Sequence, residues 1–459
     1  MVDEATSIYQ IFIRNFTEEG TLGAAAARLA EVRALGFDWV YLTPIQPIGR
    51  VGRKGTSGSP YAIADYRAVN PELGAMADFA AFVAAAHRLG LKVMLDVVYN
   101  HTSLDSVLAR ERPEWFLRDR AGAPTRKCAD WSDVVDLDYS SSPELWIELI
   151  DTLAGWRDAG VDGFRCDVAS LVPADFWRQA RQRINLRDPA TKTDTHPILW
   201  LAESTHPHFL KALRDSGYGA WSDAELHAAA FDLTYDYDGW ERLGPVWKSE
   251  RPARYYLEYL FTQETSCSAG SRKIRFLENH DQERAASRFR LRASLEAWTV
   301  LSQFIPGVSF AYMGQEYAIA HKPDLFERDP VDWAGGDRKF FEFFRNSLAG
   351  TRRAKSAASF FAWRDLGQNC ILLERFATPP HLEGPAAELT RGGAQTDSLV
   401  GGLRRSAAPG AWALVNLDGA DAYIELPETL EGSDVLSHRE VVLEGRIKAP
   451  KEPLLVLCH

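Results

Sequence analysis

The stretch Gly163-Phe-Arg-Cys-Asp167 places an arginine and an aspartate two residues apart within a short apolar run. A β-strand points residues i and i+2 to the same side, so Arg165 and Asp167 would project together from one face. The alternate residues Phe164 and Cys166 would pack against whatever covers the other face. A guanidinium lowers the pKa of a neighbouring carboxylate, so we expect Asp167 to stay ionised at neutral pH. Such a group suits a nucleophile, although a buried structural ion pair would have the same sequence.

Short β-rich runs alternate with amphipathic helical stretches on both sides of that segment. The predicted strands are Ile8–Ile13, Trp39–Thr43, Lys92–Val98, Val161–Cys166, Pro197–Ala202, Ala229–Leu233, Lys273–Leu277 and Val308–Met313. Eight strands alternating with helices over about 340 residues predict an α/β fold of the parallel (β/α)8 TIM barrel type. No glycine-rich phosphate-binding loop follows the first strand, which argues against a nucleotide-binding fold.

One connection of the predicted barrel is longer than a simple loop requires. Residues 101–138, after the third predicted strand, hold several tryptophans and aspartates without a helical period. Long loops inside compact domains are usually functional, so we interpret this one as a short inserted subdomain. The catalytic barrel would then comprise residues 1–100 and 139–353.

The chain after residue 353 changes to short alternating runs separated by Gly, Pro and Asp. The predicted strands of this part are Ile371–Phe376, Ser398–Leu403, Trp412–Asn416, Tyr423–Leu426 and Leu454–Leu457. The pattern predicts a C-terminal antiparallel β domain of the sandwich type over residues 354–459. Its segment Thr378–Thr396 is expected to be a flexible connection.

Composition narrows the classes of partner. A length of 459 residues exceeds the roughly 250–300 at which a single core stops growing, so more than one domain is expected. The formal net charge of −11 argues against nucleic acid and anionic membranes as partners. The five scattered cysteines form no CxxC pair, which suits free thiols in a reducing compartment.

The N-terminus lacks the basic start and apolar stretch of a secretory signal. No apolar run approaches the roughly 18 residues of a membrane span. We therefore expect a cytoplasmic protein, or a secreted one if a leader has been removed from this sequence. The sequence carries no signature of oligomeric state.

Polar side chains follow four of the predicted barrel strands. They are Asp96, Asn100 and His101 after the third, Arg165 and Asp167 after the fourth, Glu203 after the fifth, and His280 and Asp281 after the seventh. The C-terminal ends of barrel strands meet at one mouth, where active sites are built. Each residue alone could be a loop cap or a core histidine. Together, in the same register, they predict an active site.

Five segments of the sequence resemble motifs of the alpha-amylase family, glycoside hydrolase family 13. They are Ser59-Pro-Tyr-Ala-Ile-Ala-Asp-Tyr66, Asp96-Val-Val-Tyr-Asn-His101, Gly163-Phe-Arg-Cys-Asp167, Glu203 and Glu278-Asn-His-Asp281. The resemblance spans nearly the whole chain. It implies a TIM barrel with an inserted subdomain, and an enzyme whose partner is an α-glucan or oligosaccharide substrate.

The resemblance also implies a role for each matching residue. Asp167 would be the nucleophile, Glu203 the general acid/base, and Asp281 a third carboxylate that binds and distorts the sugar ring. His101 and His280 would donate hydrogen bonds to sugar hydroxyls, and Tyr61 would stack on the sugar ring. Arg165 would keep Asp167 ionised, and Asp96 and Asn100 would be supporting residues of the site.

The chemistry of the residues agrees with those roles. A retaining glycosidase needs one ionised and one protonated carboxyl group about 5–5.5 Å apart. The apolar neighbours Leu201 and Ala202, together with nearby acids, favour the protonated form of Glu203. The predicted function is therefore retaining hydrolysis of α-1,4-glucosidic bonds in malto-oligosaccharides or starch, through a covalent glycosyl-enzyme.

Two departures from the family pattern leave alternatives open. Ser170 and Leu171 stand where the family usually has a Lys-His pair, and Val168 resembles enzymes that accept α-1,6 linkages. An α-glucosidase of the oligo-1,6 type or a transglycosylase is thus the alternative. A catalytically silent barrel used for binding is a remote one, since it should lack a catalytic carboxylate.

No metal is needed for the predicted chemistry, and no cluster of His, Cys and Asp has catalytic-metal spacing. A structural calcium ion is left open. Asn100 matches the position of a calcium ligand in the family, and Asp130, Asp133 or Asp136 could add oxygen ligands. The missing Lys-His pair weakens that site, because the histidine carbonyl helps to hold the ion.

Overall fold

The computed structural model describes residues 2–185, 197–378 and 408–458. Its strands are β1 (Ser7–Ile11), β2 (Trp39–Leu42), β3 (Lys92–Val97), β4 (His101–Ser103), β5 (Val134–Asp136), β6 (Gly163–Cys166), β7 (Leu199–Ala202), β8 (Leu233–Thr234), β9 (Arg272–Arg275), β10 (Val308–Tyr312), β11 (Phe360–Asp365), β12 (Cys370–Phe376), β13 (Ala411–Asn416), β14 (Tyr423–Glu425), β15 (Leu430–Asp434), β16 (Arg439–Leu443), β17 (Arg446–Lys448) and β18 (Leu454–Leu457). The predicted strand Ser398–Leu403 and nearly all of the predicted connection Thr378–Thr396 lie outside the described residues.

Helices occupy most of the connections between these strands. They are α1 (Ile13–Phe16), α2 (Leu22–Ala27), α3 (Leu29–Leu35), α4 (Met76–Arg88), α5 (Val107–Glu111), α6 (Pro143–Asp158), α7 (Ala174–Asn185), α8 (Pro207–Asp215), α9 (Asp223–Ala229), α10 (Tyr237–Trp247), α11 (Arg254–Ser266), α12 (Ala285–Arg288), α13 (Arg292–Phe304) and α14 (Arg338–Ala357). Short 3-10 turns lie at Pro113–Trp115, Ala169–Leu171 and Gln315–Tyr317.

Eight parallel strands close into a barrel in the order β1, β10, β9, β8, β7, β6, β3 and β2. Closure occurs at β1, where Ile8 lies opposite Trp39 of β2 and Phe310 of β10. The barrel and the C-terminal antiparallel sheet confirm the predicted fold class. All strand C-termini therefore meet at one mouth, which is the geometry that the site requires.

The sixth barrel strand differs from its predicted range, Ala229–Leu233. The structure has only the two residues Leu233–Thr234 as strand, because α9 extends to Ala229. A capping box begins that helix: the Ser222 hydroxyl accepts from the Glu225 N–H, and the Glu225 carboxylate accepts from the Ser222 N–H. This cap and the alanine-rich run that follows favour helix over strand.

Aromatic side chains fill the barrel below its mouth. The ring of Phe310 lies 6.2 Å from Tyr41, 6.2 Å from Tyr235 and 6.0 Å from Phe276. All four are buried. A packed floor of this kind leaves no channel through the barrel, so the polar side chains above it are held at the mouth.

The inserted segment contains a two-stranded antiparallel sheet, in which β4 pairs with β5 and His101 lies opposite Asp136. Hydrogen bonds fix this sheet to the loop after β2. The Tyr66 hydroxyl donates to the His101 carbonyl at 2.8 Å, and the Ser103 N–H donates to the Ile63 carbonyl at 2.9 Å. The segment therefore lies beside the mouth, while its boundaries at residues 101 and 138 stay predictions.

The C-terminal part forms a six-stranded antiparallel sheet in the order β11, β12, β13, β18, β15 and β16, with β14 and β17 paired separately. It is attached to the barrel through α13. Arg375 donates to the Phe304 carbonyl at 2.8 Å, and the Ser294 hydroxyl donates to the Leu417 carbonyl at 2.6 Å. The sandwich type and the boundary at residue 354 stay predictions.

All five cysteines are free thiols, and Cys166 and Cys370 are buried. Among the described residues, no helix combines the length and the apolar character that crossing a membrane requires.

Candidate active site

All nine predicted site residues lie at the C-terminal mouth of the barrel. Asp96 is on β3 and Arg165 on β6, and Tyr61 is in the loop between β2 and α4. Asn100 follows β3 and His101 begins β4, while Asp167 and Glu203 directly follow β6 and β7. His280 and Asp281 lie in the connection after the seventh barrel strand, β9. A cavity of about 330 Å³ opens there. Six of the nine line it, namely Tyr61, His101, Asp167, Glu203, His280 and Asp281.

The buried guanidinium of Arg165 joins three carboxylates. Its Nη1 donates to Asp96 Oδ1 and to Asp167 Oδ1, each at 2.8 Å. Its Nη2 forms an ion pair with Glu203 Oε1, also at 2.8 Å. We call these four residues the Arg165 cluster. The predicted pair is thus part of a larger unit, in which one positive charge faces three carboxyl groups.

The expectation that Arg165 holds the pKa of Asp167 low is wrong. Burial raises the pKa of Asp167 well above its usual range, and the guanidinium of Arg165 opposes this while the carboxylates of Glu203 and Asp96 add to it. Burial also raises the pKa of Asp96 to about 6. Because one cation serves three acids in a buried site, Arg165 does not offset the effect of burial on Asp167 and Asp96.

Val168 holds Glu203 beside the nucleophile. Its backbone is left-handed, with φ of 34°, which is strained for a β-branched residue. In this turn the Val168 N–H donates to Glu203 Oε2 at 2.8 Å. One oxygen of Glu203 therefore contacts Arg165, and the other accepts a backbone hydrogen bond.

His280 is a neutral hydrogen-bond donor in the cavity. Burial lowers its pKa to about 3. Its Nδ1 lies 2.7 Å from Gln10 Nε2, and its Nε2 lies 2.6 Å from the Tyr61 hydroxyl and 3.2 Å from Asp281 Oδ2. An amide nitrogen can only donate, so Nδ1 accepts and Nε2 carries the proton. The rings of His280 and Tyr61 stack at 5.3 Å.

Asp281 is the most open of the three predicted catalytic carboxylates. Its side chain is 39% exposed, against 8% for Asp167 and 9% for Glu203. Partial burial raises its pKa, against the charges of Arg165 and Lys322. Lys322 also donates to the Asp281 carbonyl at 2.6 Å, which fixes the backbone at this position.

His101 lies beside the nucleophile. Its Nε2 is 4.0 Å from Asp167 Oδ2, and its Nδ1 is 3.1 Å from Asn100 Nδ2. Burial lowers its pKa to about 4, so the imidazole is neutral. The Trp131 ring lies 5.3 Å from the imidazole ring and lines the same cavity.

The residues considered for calcium do not fit a calcium site. The Lys127 ammonium donates to Asn100 Oδ1 at 2.6 Å and lies 3.2 Å from Asp136 Oδ2. Lys54 occupies the other oxygens, at 3.0 Å from the Asp130 carbonyl and 3.1 Å from Asp133 Oδ1. Each of these residues thus has one oxygen in contact with an ammonium group, so positive charge already lies where a divalent cation would bind. Within the described ranges, no group of three His, Cys, Asp or Glu side chains could hold a metal ion.

Sequence reasoning missed several residues around the cavity. Lys54, Leu325 and Phe326 line it, and Gln10 fixes the orientation of His280. Gln10 had a signal, namely an amide inside the otherwise apolar first strand. The other three lie in two loops, one with Lys54 and one with Leu325 and Phe326, and no strand end marks either position.

Comparisons with known proteins agree with this geometry. Residues 10–131 match the family model described as the alpha amylase catalytic domain. The structure of an alpha-amylase from Lactobacillus plantarum is 36% identical, with a TM-score of 0.84, and the match covers 99% of this chain and 98% of that one. A noncanonic maltogenic alpha-amylase from Thermotoga neapolitana is 30% identical, with a TM-score of 0.78, and 99% and 98% of the two chains are covered.

Curated relatives carry a different name. The alpha-1,4-glucan:maltose-1-phosphate maltosyltransferase of Rhodospirillum rubrum is 35% identical over 222 residues, which is 43% of this chain. The matched segment spans 31% of that protein. This chain therefore matches only about a third of the length of such relatives.

Proposed function

Because this chain belongs to the alpha-amylase family, we propose that it is a retaining glycosidase that cleaves α-1,4-glucosidic bonds in malto-oligosaccharides or starch-type glucans. The observation that carries the proposal is the Arg165 cluster, where one guanidinium contacts both Asp167 and Glu203 in the cavity. A retaining reaction requires two carboxyl groups about 5–5.5 Å apart. Two carboxyl groups bound to one guanidinium are compatible with that separation.

The reaction has two steps. Asp167 attacks the anomeric carbon as the glycosidic C–O bond breaks, and Glu203 gives its proton to the departing oxygen. Glu203 then takes a proton from water, whose oxygen attacks the same carbon and releases Asp167. The contacts of Asp167 and Glu203 with one guanidinium support this scheme, because they bring the nucleophile and the proton donor to the same side of the cavity.

Neutral groups around Asp167 would bind the sugar. The Nε2–H of His280 and the imidazole of His101 can donate to hydroxyls without adding a positive charge beside the nucleophile. Tyr61 presents a ring to the cavity, and apolar sugar faces stack on such rings. The more exposed Asp281 can accept from two sugar hydroxyls and hold the ring in a distorted form.

Transfer of the sugar to another carbohydrate is the second candidate. The observation that favours it is the name maltosyltransferase on the curated relatives. Both reactions share the first step and differ in whether water or a sugar hydroxyl attacks the glycosyl-enzyme. Val168, which resembles the residue at this position in enzymes that accept α-1,6 linkages, lines the cavity. An oligo-1,6-glucosidase is therefore a variant of the hydrolytic proposal. A binding-only barrel has little support, because all three carboxylates reach the cavity.

The test uses Asp167→Asn and Glu203→Gln, with the exposed Asp158→Asn as a matched control. Loss of the nucleophile should cost about 10⁴-fold or more in kcat. Loss of the acid should cost about 10²–10⁴-fold. The control should keep wild-type activity on maltotriose. Activity retained by Asp167→Asn, with an unchanged circular dichroism spectrum, would reject the mechanism.

The products identify the reaction. Starch, maltotriose, isomaltose and sucrose would each be incubated with the enzyme and analysed by chromatography. Shorter malto-oligosaccharides support α-1,4 hydrolysis, and glucose from isomaltose supports the oligo-1,6 alternative. Products longer than the substrate support transfer. If none of the four is converted, the proposed substrate class is wrong.

A further inference from the structure

Two loops of the barrel meet along one side of the cavity. One follows β2 and the other follows β10. The N–H groups of Ser57 and Gly58 both donate to the Phe326 carbonyl, at 3.0 and 3.2 Å. The Thr56 N–H donates to Glu327 Oε1 at 2.9 Å. The two loops are therefore in direct backbone contact at this side of the cavity.

A buried arginine beneath the loops holds them together. Arg14, 6% exposed, donates to the carbonyls of Gly58 at 2.9 Å, Ser57 at 3.1 Å and Leu325 at 3.2 Å. Opening the contact would leave a buried guanidinium without those partners, which costs more than losing neutral hydrogen bonds. The closed arrangement is therefore built into the fold.

Lys54 extends the closure to the inserted segment. Its ammonium donates to the Asp130 carbonyl at 3.0 Å, forms an ion pair with Asp133 at 3.1 Å and lies 5.7 Å from the centre of the Phe326 ring. Lys54, Asp133, Leu325 and Phe326 all line the cavity, and we call them the end wall. An ammonium has three donors, and two of those of Lys54 are used within the described residues.

The end wall lies opposite the predicted general acid. Glu203 follows β7, which is four strands away from β1 in either direction around the barrel. Three wall residues, Lys54, Leu325 and Phe326, lie in the loops after β2 and β10, the two neighbours of β1, and Asp133 of the inserted segment contacts Lys54. The general acid protonates the departing oxygen, so the leaving part of the substrate lies on the Glu203 side. The non-reducing part of the sugar chain must then point toward the end wall.

On the basis of the proposed function, we infer that the non-reducing end of an α-glucan stops against the end wall, so that the enzyme shortens chains from that end instead of cutting internal bonds. Lys54 and Asp133 offer charged partners for the hydroxyls of the terminal sugar, and Phe326 offers a ring for its apolar face. A cavity of about 330 Å³ is near the lower limit of the volumes of ligand pockets, which agrees with a small number of sugar-binding subsites.

The test compares two forms of maltoheptaose, both with a fluorescent label at the reducing end. One has a free non-reducing end, and the other has that end closed by a 4,6-O-ethylidene group. The free form should give labelled products that shorten stepwise. The blocked form should react about 100-fold more slowly, since a misplacement of 1 Å can cost that much.

The other two outcomes distinguish failure of the end-wall inference from failure of the proposed glycosidase function. Equal rates on both forms, with internal cleavage products, would overturn the end-wall inference and keep the glycosidase. Conversion of neither form would reject the proposed function, and the inference would fall with it.

A variant pair checks that the wall is responsible. Replacing Lys54 and Phe326 together by alanine should raise the rate on the blocked form relative to the free form. Lys451→Ala, which changes an exposed lysine of the C-terminal part, should leave that ratio at the wild-type value. An unchanged ratio in a folded double variant would overturn the inference.

Discussion

Replacing Asp96 by asparagine tests how the Arg165 cluster sets the pKa of its nucleophile. Asp96 accepts from Arg165 Nη1 and from the hydroxyls of Tyr41 at 2.6 Å and Tyr61 at 3.1 Å. Asparagine has the same shape, its carbonyl can still face Arg165, and a tyrosine hydroxyl can accept from its amide nitrogen. The substitution therefore removes one negative charge with little change of packing.

The size of the effect follows from the distances. Asp96 Oδ1 and Asp167 Oδ1 each lie 2.8 Å from the same guanidinium nitrogen, so they are no more than about 5.6 Å apart. Two unit charges at that distance and an effective dielectric constant of about 20 repel by about 3 kcal/mol. That corresponds to about 2 pKa units on Asp167. Because Asp96 has a pKa of about 6 and is partly protonated in acid, we expect a shift of about 1 unit.

The assay is the pH profile of kcat/KM on maltotriose, whose acid limb reports ionisation of the nucleophile in the free enzyme. Removing the Asp96 charge lowers the pKa of Asp167, so the acid limb should move to lower pH. The exposed Asp175→Asn is the matched control and should leave the profile unchanged. An acid limb that stays in place or moves to higher pH, in a folded variant, would refute the argument.

Three further predictions concern stability. Lys127→Met should lower the free energy of unfolding by about 3–5 kcal/mol, because it leaves Asp136 buried and unpaired. A chelator should leave the melting temperature and the activity of the wild type unchanged. A fall of either on chelation would contradict the calcium argument. Burial raises the pKa of the Glu316 carboxyl group from 4.5 to about 7. Its contribution to the free energy of unfolding is therefore full below pH 4.5 and is lost as the pH rises through 7. In urea titrations at pH 5 and 8, Glu316→Gln should reduce the difference in the free energy of unfolding between the two pH values. Gly55→Ala should lower the free energy of unfolding by about 1–3 kcal/mol, because φ at Gly55 is +61° and an added Cβ would lie 2.7 Å from Phe326 Cβ. A melting temperature equal to that of the wild type would show that the loops after β2 and β10 can separate.

The barrel and the mouth residues were predictable because parallel strands impose a simple rule. Polar residues at the ends of strands such as β3 and β6 must converge, whatever the loops between them do. The sixth strand was misplaced because its apolar run is compatible with both helix and strand, and the cap at Ser222 decided the outcome.

The electrostatics of the site could not be predicted from local sequence. The spacing of Arg165 and Asp167 showed one charge pair, but not that Asp96 and Glu203 share the same guanidinium. The ammonium of Lys127 beside Asn100 was equally hidden, because a side-chain contact across 27 residues has no local signature. The end wall depends on residues about 270 positions apart and required the fold.

The central claim is that Asp167 forms a covalent bond to the sugar. The most direct measurement is mass spectrometry of peptides after the enzyme has reacted with a 5-fluoro-α-maltosyl fluoride, which slows breakdown of the glycosyl-enzyme. The account predicts loss of the anomeric fluoride and one added 5-fluoromaltosyl group on the peptide containing Asp167, and no added group in Asp167→Asn. A label on another residue, or turnover of the reagent by Asp167→Asn, would contradict it.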